Sequence, residues 1–239
     1  MIKTYLEPDE VKRLEEAAEY VRDRLLIRLL FRLGCRVSEA LGIGVDDIDF
    51  AEGAVTIKHL KERVKLSCPF CGGRLARAHR FCPACGKDVD EAVSQTREHR
   101  RFRSLPVDPD TLGMLSDYIK RKGPRQKGGR LLLFGINRHR AWQVVRGCAE
   151  RAGLPHLRNP ESGRVHNVSP HRLRDAFAVH AVKVNDSGDG LRLLQEHLGH
   201  QSITTTMRYR KVSGEEQRSW FDKLWGEESA RNGDRNNRR

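Results

Sequence analysis

Five side chains, in a fixed order along the chain, could together hold and cleave a phosphodiester. Arg36 lies in Gly-Cys-Arg-Val-Ser-Glu, and His171 and Arg174 lie in Pro-His-Arg-Leu-Arg-Asp. His200 closes Leu-Gly-His, and Tyr209 follows nine residues later in Thr-Thr-Met-Arg-Tyr-Arg. Two guanidiniums can clamp the non-bridging oxygens of a phosphate and stabilise the charge that grows there. A phenol can attack phosphorus, but at its ordinary pKa of about 10 it needs a positive site and an acceptor for its proton, a part that histidine can take. Chemistry of this kind requires neither a metal nor a nucleotide.

Taken singly, each motif has an ordinary explanation. Arg36 could sit at a helix start beside Glu39. His171 and Arg174, three apart, share a helix face as many surface pairs do. Leu-Gly-His could be a helix end with its glycine cap. A tyrosine on a short helix usually packs. Their order and combination carry the argument.

The chain has 239 residues, 45 Lys and Arg against 32 Asp and Glu, and a net charge of +13. That balance favours a polyanionic partner, DNA or RNA ahead of a membrane surface. No apolar run approaches the ~20 residues of a membrane span, and the N-terminus lacks a basic-then-apolar signal pattern. The expected location is the cytoplasm, at the nucleoid.

Cys68, Cys71, Cys82 and Cys85 form two Cys-x-x-Cys knuckles, each followed by glycine, with ten residues between the pairs. In a basic intracellular chain, four thiolates so spaced point to one tetrahedral, structural Zn²⁺ with no open position. Arg74, Arg77, His79 and Arg80 between the knuckles, and Arg97, Arg100, Arg101 and Arg103 after them, would add phosphate contacts or simply form a solvated surface. Cys35 and Cys148, alone in apolar helical patterns, read as core residues.

The remaining pattern supplies the scaffold. A helix is expected over 8–20, opened by Pro8 and by Asp9 and Glu10, which suit the dipole of its first turn. A second carries the stripe Leu25, Leu26, Leu29, Leu30 and Leu33. Gly34 stops it before a short helix near Val37–Leu41. Val45–Phe50 and Val55–Leu60 read as strands joined by Ala51-Glu52-Gly53. The third strand, Arg101–Val107, arrives only after the cysteine segment. Helices follow near 110–121, 139–152, 171–183, 190–198 and 215–225, with a Gly/Lys-rich loop over 122–130 and an apolar stretch Leu131–Phe134. Asn185–Gly190 reads as a turn rather than a calcium loop, because it lacks the spacing and the twelfth-position Glu. Trp220, Phe221, Leu224 and Trp225 form an apolar patch, and Ala230–Arg239 reads as a disordered basic tail.

The arrangement resembles the catalytic domain of the tyrosine recombinase (phage integrase) family, Xer-type recombinases included, over about residues 5–226 apart from the cysteine segment. The resemblance implies an α+β fold, mainly helical around a small three-stranded antiparallel sheet. A catalytic domain of 1–226, an inserted zinc ribbon of 66–96 and a tail of 227–239 complete the expected organisation. It places Arg36, His171, Arg174 and His200 at the phosphate and Tyr209 at the nucleophile. It also asks for a lysine on the hairpin. Counting back from Lys61-Glu62-Arg63 gives Lys58, with Lys61 as competitor, since the usual Gly-Lys-Gly is replaced by Ile57-Lys58-His59.

By the same resemblance, the lysine protonates the departing 5′ oxygen and the product is a 3′-phosphotyrosine that rejoins without ATP. The implied partner is double-stranded DNA. The implied assembly is a tetramer coupled by exchange of the C-terminal helix. Arg36 comes too early for the family's N-terminal DNA-clamping domain, so a separate clamping or accessory protein is expected. A type IB-like topoisomerase and a non-catalytic zinc-ribbon regulator are the competing readings.

Overall fold

The computed structural model describes residues 3–76, 79–89, 93–159 and 162–210, with the backbone alone along 59–65 and 93–101. The expected helix at 215–225, the tryptophan-bearing patch, the basic tail and Arg77 lie outside these residues.

Helix α1 (Pro8–Glu16) opens with Pro8 in its first turn and with Glu10 accepting the Glu7 N–H at 2.9 Å. It ends four residues before the expected boundary, because the chain reverses there so that α2 (Val21–Arg32) can pack back against it. The predicted leucine stripe of α2 is fully buried: Leu25, Leu26, Leu29 and Leu30 expose none of their surface. Helices α1, α4 (Pro109–Lys120), α5 (Arg138–Arg151) and α6 (Pro170–Val184) surround this central helix. Cys35 and Cys148 are buried in the same core.

The expected strand Val45–Phe50 is instead a 3-10 turn, Val45–Asp47, followed by the two-residue strand β1 (Ile48–Asp49). The Asp47 carboxylate accepts the Gly44 N–H at 2.9 Å, and such local side-chain bonding draws the backbone away from a ladder. The other two strands are longer than their sequence pattern indicated. β2 (Ala54–Ser67) and β4 (Val93–Pro106) pair antiparallel without a break from Ala54↔Pro106 to Ser67↔Val93. Val55, Ile57 and Leu105 anchor the base of this ribbon in the core, while Phe102 is 59% exposed. At about 3.3 Å per residue the ribbon is roughly 46 Å long. β3 (Arg74–Leu75) pairs with the far end of β2 and makes the sheet four-stranded.

Two short hairpins escaped the sequence reading: β5 (Arg125–Lys127) with β6 (Arg130–Leu132), and β7 (Leu157–Arg158) with β8 (Val165–His166). Strands of two or three residues are too short to show a period. The C-terminal half of α6 and helix α7 (Gly188–Leu198) build a second, smaller cluster of Ala178, Val182, Leu191, Leu194 and Leu198, against which Phe177, Tyr209 and Met207 of α8 (Ile203–Met207) pack.

Candidate active site

The first arginine is placed by a helix end and a helix start. Gly34 closes α2 with a left-handed φ of +54°, and a side chain there would collide with the Phe177 ring. Two residues later Arg36 caps α3 (Val37–Ala40), and Glu39 accepts its backbone N–H at 2.9 Å. Glu39 also holds the Arg36 guanidinium at 3.0 Å and that of Arg103, from β4, at 3.0 Å. Burial opposes ionisation of Glu39. The Arg36 N–H and the surrounding guanidiniums outweigh it and hold the carboxyl below its usual range. One buried carboxylate thus gathers cations without cancelling their sum.

Arg174, in the second turn of α6, is 4% exposed and satisfied on three sides. It donates to the Gly34 carbonyl at 2.6 Å, to the Leu198 carbonyl at 2.9 Å and to His200 Nε2 at 3.0 Å. Leu198 ends α7, whose Gly199 cap has a φ of +66° and lies against Arg103, which also donates to the Leu198 carbonyl at 2.8 Å. Arginine has no acceptor, so His200 Nε2 accepts and the ring proton sits on Nδ1, facing Thr206 Oγ1 at 2.9 Å. Burial, followed by Arg174, Arg36 and Arg103, pushes His200 down to about 4, so the ring is neutral at pH 7. As placed here, His200 orients Arg174.

Tyr209 stacks on the His200 ring with 6.2 Å between centroids. Its hydroxyl donates to Asp175 Oδ1 at 3.2 Å. Burial and the Asp175 charge push the phenol up to about 12. His171 does not touch this cluster directly. Its Nδ1 lies 3.1 Å from Asp175 Oδ2, and its side chain is 75% exposed on a groove shared with Trp142, His166 and Arg172.

Lys58 is not brought into the cluster. Its ammonium lies 2.6 Å from Asp47 Oδ1, and Arg130 is 2.6 Å from Oδ2 of the same carboxylate. Arg103 pairs across the ribbon with Ile57, and Lys58 with Phe102, so Lys58 and Arg103 lie on opposite faces. The side chain of Lys61 lies outside the described residues.

In sequence, Arg103 belongs to a basic run that reads as phosphate contacts or a solvated surface. The structure instead shows a side chain only 12% exposed, bound to Glu39 and Leu198 inside the body. Asp175, Thr206 and Asp47 also escaped the sequence reading. Asp175 was visible only as the residue after Arg174, and Thr206 only as one of three consecutive threonines.

At the far end of the ribbon, the four cysteine sulfurs lie within 4.8 Å of one another. Cys68 and Cys85 are 3.7 Å apart and Cys71 and Cys82 3.6 Å. The edge of a tetrahedron with Zn–S bonds of about 2.3 Å is about 3.8 Å, so the set fits zinc. The knuckles repeat one backbone pattern: Gly72 N–H to Cys68 O and Cys68 N–H to Gly73 O match Gly86 N–H to Cys82 O and Cys82 N–H to Lys87 O.

The sequence model of the phage integrase family matches residues 4–216. The chain belongs to the phage integrase family. It is 30% identical over 215 residues to tyrosine recombinase XerD of Bifidobacterium longum, covering 87% of this chain and 58% of that protein. Tyrosine recombinase XerA of Pyrococcus horikoshii is 27% identical over 221 residues, 91% of this chain and 60% of the relative. The chain thus spans little more than half the length of these relatives. Among solved structures, a XerA recombinase superposes with a TM-score of 0.61 at 20% identity, covering 93% of this chain and 64% of that one. The catalytic domain of bacteriophage HP1 integrase gives 0.51 at 19%, covering 91% and 92%. These likenesses agree with the α+β fold expected of an integrase-family catalytic domain.

Proposed function

We propose that this integrase-family chain is a site-specific DNA recombinase that cleaves and rejoins strands through a 3′-phosphotyrosine on Tyr209. The observation that carries the reading is Arg174, a buried guanidinium fixed by the Gly34 carbonyl two residues before Arg36, by Leu198 and by His200, the ring on which Tyr209 stacks. A phosphate seated there meets two fixed cations, with the phenol at its edge. His171 accepts the phenolic proton, and the phosphoryl oxygens rest on Arg36 and Arg174.

The DNA partner is supported by the net charge and by the exposed face of α5, where Arg138, His139, Arg140, Trp142, Gln143 and Arg146 precede the first acid, Glu150. One relative, the XerH recombinase, is solved bound to its palindromic difH substrate. Four copies acting on two sites, coupled through the C-terminal segment, complete the proposed assembly at the nucleoid. Among the described residues, no helix is long and apolar enough to cross a membrane.

We assign one structural Zn²⁺ to Cys68, Cys71, Cys82 and Cys85. Zinc cross-links the two knuckles and takes no part in the strand chemistry. The tip it orders presents Arg74, Arg80 and Lys87 to solvent, roughly 30 Å along the ribbon from Lys58, where they reach DNA phosphates outside the cleaved step.

We give the leaving-group proton to Lys61 rather than Lys58. Lys58 is held on Asp47 on the face of the ribbon opposite Arg103, which leaves Lys61, the competing lysine of the same hairpin. A substrate with a 5′-thiol leaving group, which departs without a proton, tests this. Lys61→Ala is expected to slow cleavage of ordinary DNA by about 10²–10⁴-fold and to recover on the thiol substrate. Lys58→Ala should lose less than about tenfold, within what an indirect packing change produces. Recovery by the thiol in Lys58→Ala alone would reverse the assignment.

The function itself is tested by strand transfer. Pre-cleaved enzyme on a half-site should join its strand to an incoming 5′-hydroxyl strand from a second site. Relaxation of supercoils without such joining would identify a topoisomerase.

A further inference from the structure

Asp175 lies between the two groups that must exchange a proton. It sits four residues beyond His171 on the same face of α6, and its side chain is 16% exposed. Oδ2 lies 3.1 Å from His171 Nδ1 and accepts from Arg172 Nη1 at 3.1 Å, while Oδ1 accepts the Tyr209 hydroxyl at 3.2 Å. An ionised carboxylate only accepts hydrogen bonds. Both neighbours must therefore present protons to it: His171 carries its proton on Nδ1, and Tyr209 is a phenol. The His171 Nε2 lone pair then faces the groove lined by Trp142 of α5 and His166 of β8.

We propose that Asp175 is a positioning residue that couples the nucleophile to its base, holding Tyr209 protonated at rest and fixing His171 in the tautomer whose Nε2 can take the tyrosine's proton. This rests on the phosphotyrosine reading above. The step balances. As the Tyr209 oxygen leaves Asp175 and forms its bond to phosphorus, the bond from phosphorus to the 5′ oxygen breaks. The phenolic proton ends on His171 Nε2, and the leaving oxygen takes a proton from the lysine. The resulting imidazolium faces the Asp175 carboxylate, which stabilises it, as a carboxylate does behind the histidine of a hydrolase triad. Asp175 also sets the resting state, since a tyrosine bonded to it is not poised for attack until DNA competes for the hydroxyl.

The charges around His171 define the pH behaviour. Asp175 and Arg172 face it from α6, His166 shares its groove from β8, and Tyr209 reaches it through Asp175. The Asp175 hydrogen bond, the largest influence, raises His171 above its usual 6.5. A base must be neutral to act, so cleavage rises as pH passes the His171 pKa. Removing the carboxylate should move that rise to lower pH.

The experiment is an imidazole NMR titration of DNA-free protein, with His171→Gln to assign the signal, alongside the pH dependence of adduct formation on nicked DNA. In the wild type, His171 should titrate above 6.5 and show the Nδ1–H tautomer at high pH. In Asp175→Asn, its titration should fall to 6.5 or below, the Nε2–H tautomer should gain, and the acid limb of cleavage should shift down in step. Asp175→Glu should restore much of the wild-type behaviour. An unchanged His171 titration in Asp175→Asn, or a wild-type His171 lacking the Nδ1–H tautomer, overturns the inference. The wild-type tautomer decides the matter even if Asp175→Asn does not fold. If no adduct forms at any pH, the phosphotyrosine reading fails, while the titration still rules on Asp175.

Discussion

Arg174→Ala is expected to reduce single-turnover cleavage by at least about 10³-fold, the scale of losing a preorganised donor to a growing oxyanion. It should also destabilise the fold by roughly 3 kcal/mol, because the Gly34 carbonyl and His200 Nε2 lose the partner they have in the interior. Arg36→Ala offers the contrast. Its side chain is 38% exposed, and Glu39 keeps Arg103 when Arg36 is removed. Cleavage should fall on a similar scale, while stability falls less than in Arg174→Ala, because the buried Glu39 keeps Arg103 and the Arg36 backbone N–H as partners. Arg174→Lys should resemble Arg174→Ala in activity, since an ammonium cannot reproduce the planar fork that reaches Gly34, Leu198 and His200 together. Thermal melting and adduct formation on nicked DNA measure both effects. Cleavage by Arg174→Ala within tenfold of wild type would remove this residue from the phosphate.

The second large effect is loss of zinc. The tip's own core is Cys68, Leu75, Cys82 and Val89, with Leu66 packed beside it, far too little to order the segment alone. Apparent metal binding of about 10–16 kcal/mol at such sites is in effect the folding energy of the module. Chelation, or Cys68→Ser, should therefore release one zinc per chain and open residues 66–92 to proteolysis. Melting of the body should change little, because its core is a separate cluster. DNA affinity should fall with a shallower salt dependence as the tip's Arg74, Arg80 and Lys87 lose their phosphates. A tip that stays protease-resistant without metal, or a body that melts with it, would contradict the assignment.

What the sequence revealed follows physical range. The stripe of α2 and the caps of α1 and α7 are local signals, and each is where the pattern placed it within a few residues. The five polar residues stand out in the sequence by their chemical types and order, and the fold gathers Arg174, His200 and Tyr209 by direct contact. Contacts among elements distant in the chain were not legible. Arg103 carries the same letter as Arg97, Arg100 and Arg101 in the same run, and only pairing opposite Ile57 turns it inward onto Glu39. Asp175 looked like an ordinary helix residue until the fold brought Tyr209 to it across 34 positions. The ribbon's length was hidden because the outer half of β4, 93–100, has Val93 as its one apolar residue and so shows no alternation to mark it as strand. Lys58 follows from counting within a motif, a signal that carries no information on its ion pair with Asp47 or its place opposite Phe102.

Covalent trapping tests the central claim most directly. Wild-type protein and Tyr209→Phe, both loaded with zinc, are incubated with nicked suicide DNA from the sequence flanking the gene and separated under denaturing conditions. The account predicts a protein–DNA adduct through a 3′ phosphate in the wild type and none in Tyr209→Phe. An adduct that persists in Tyr209→Phe, or its absence from a wild type that binds the DNA firmly, would contradict it.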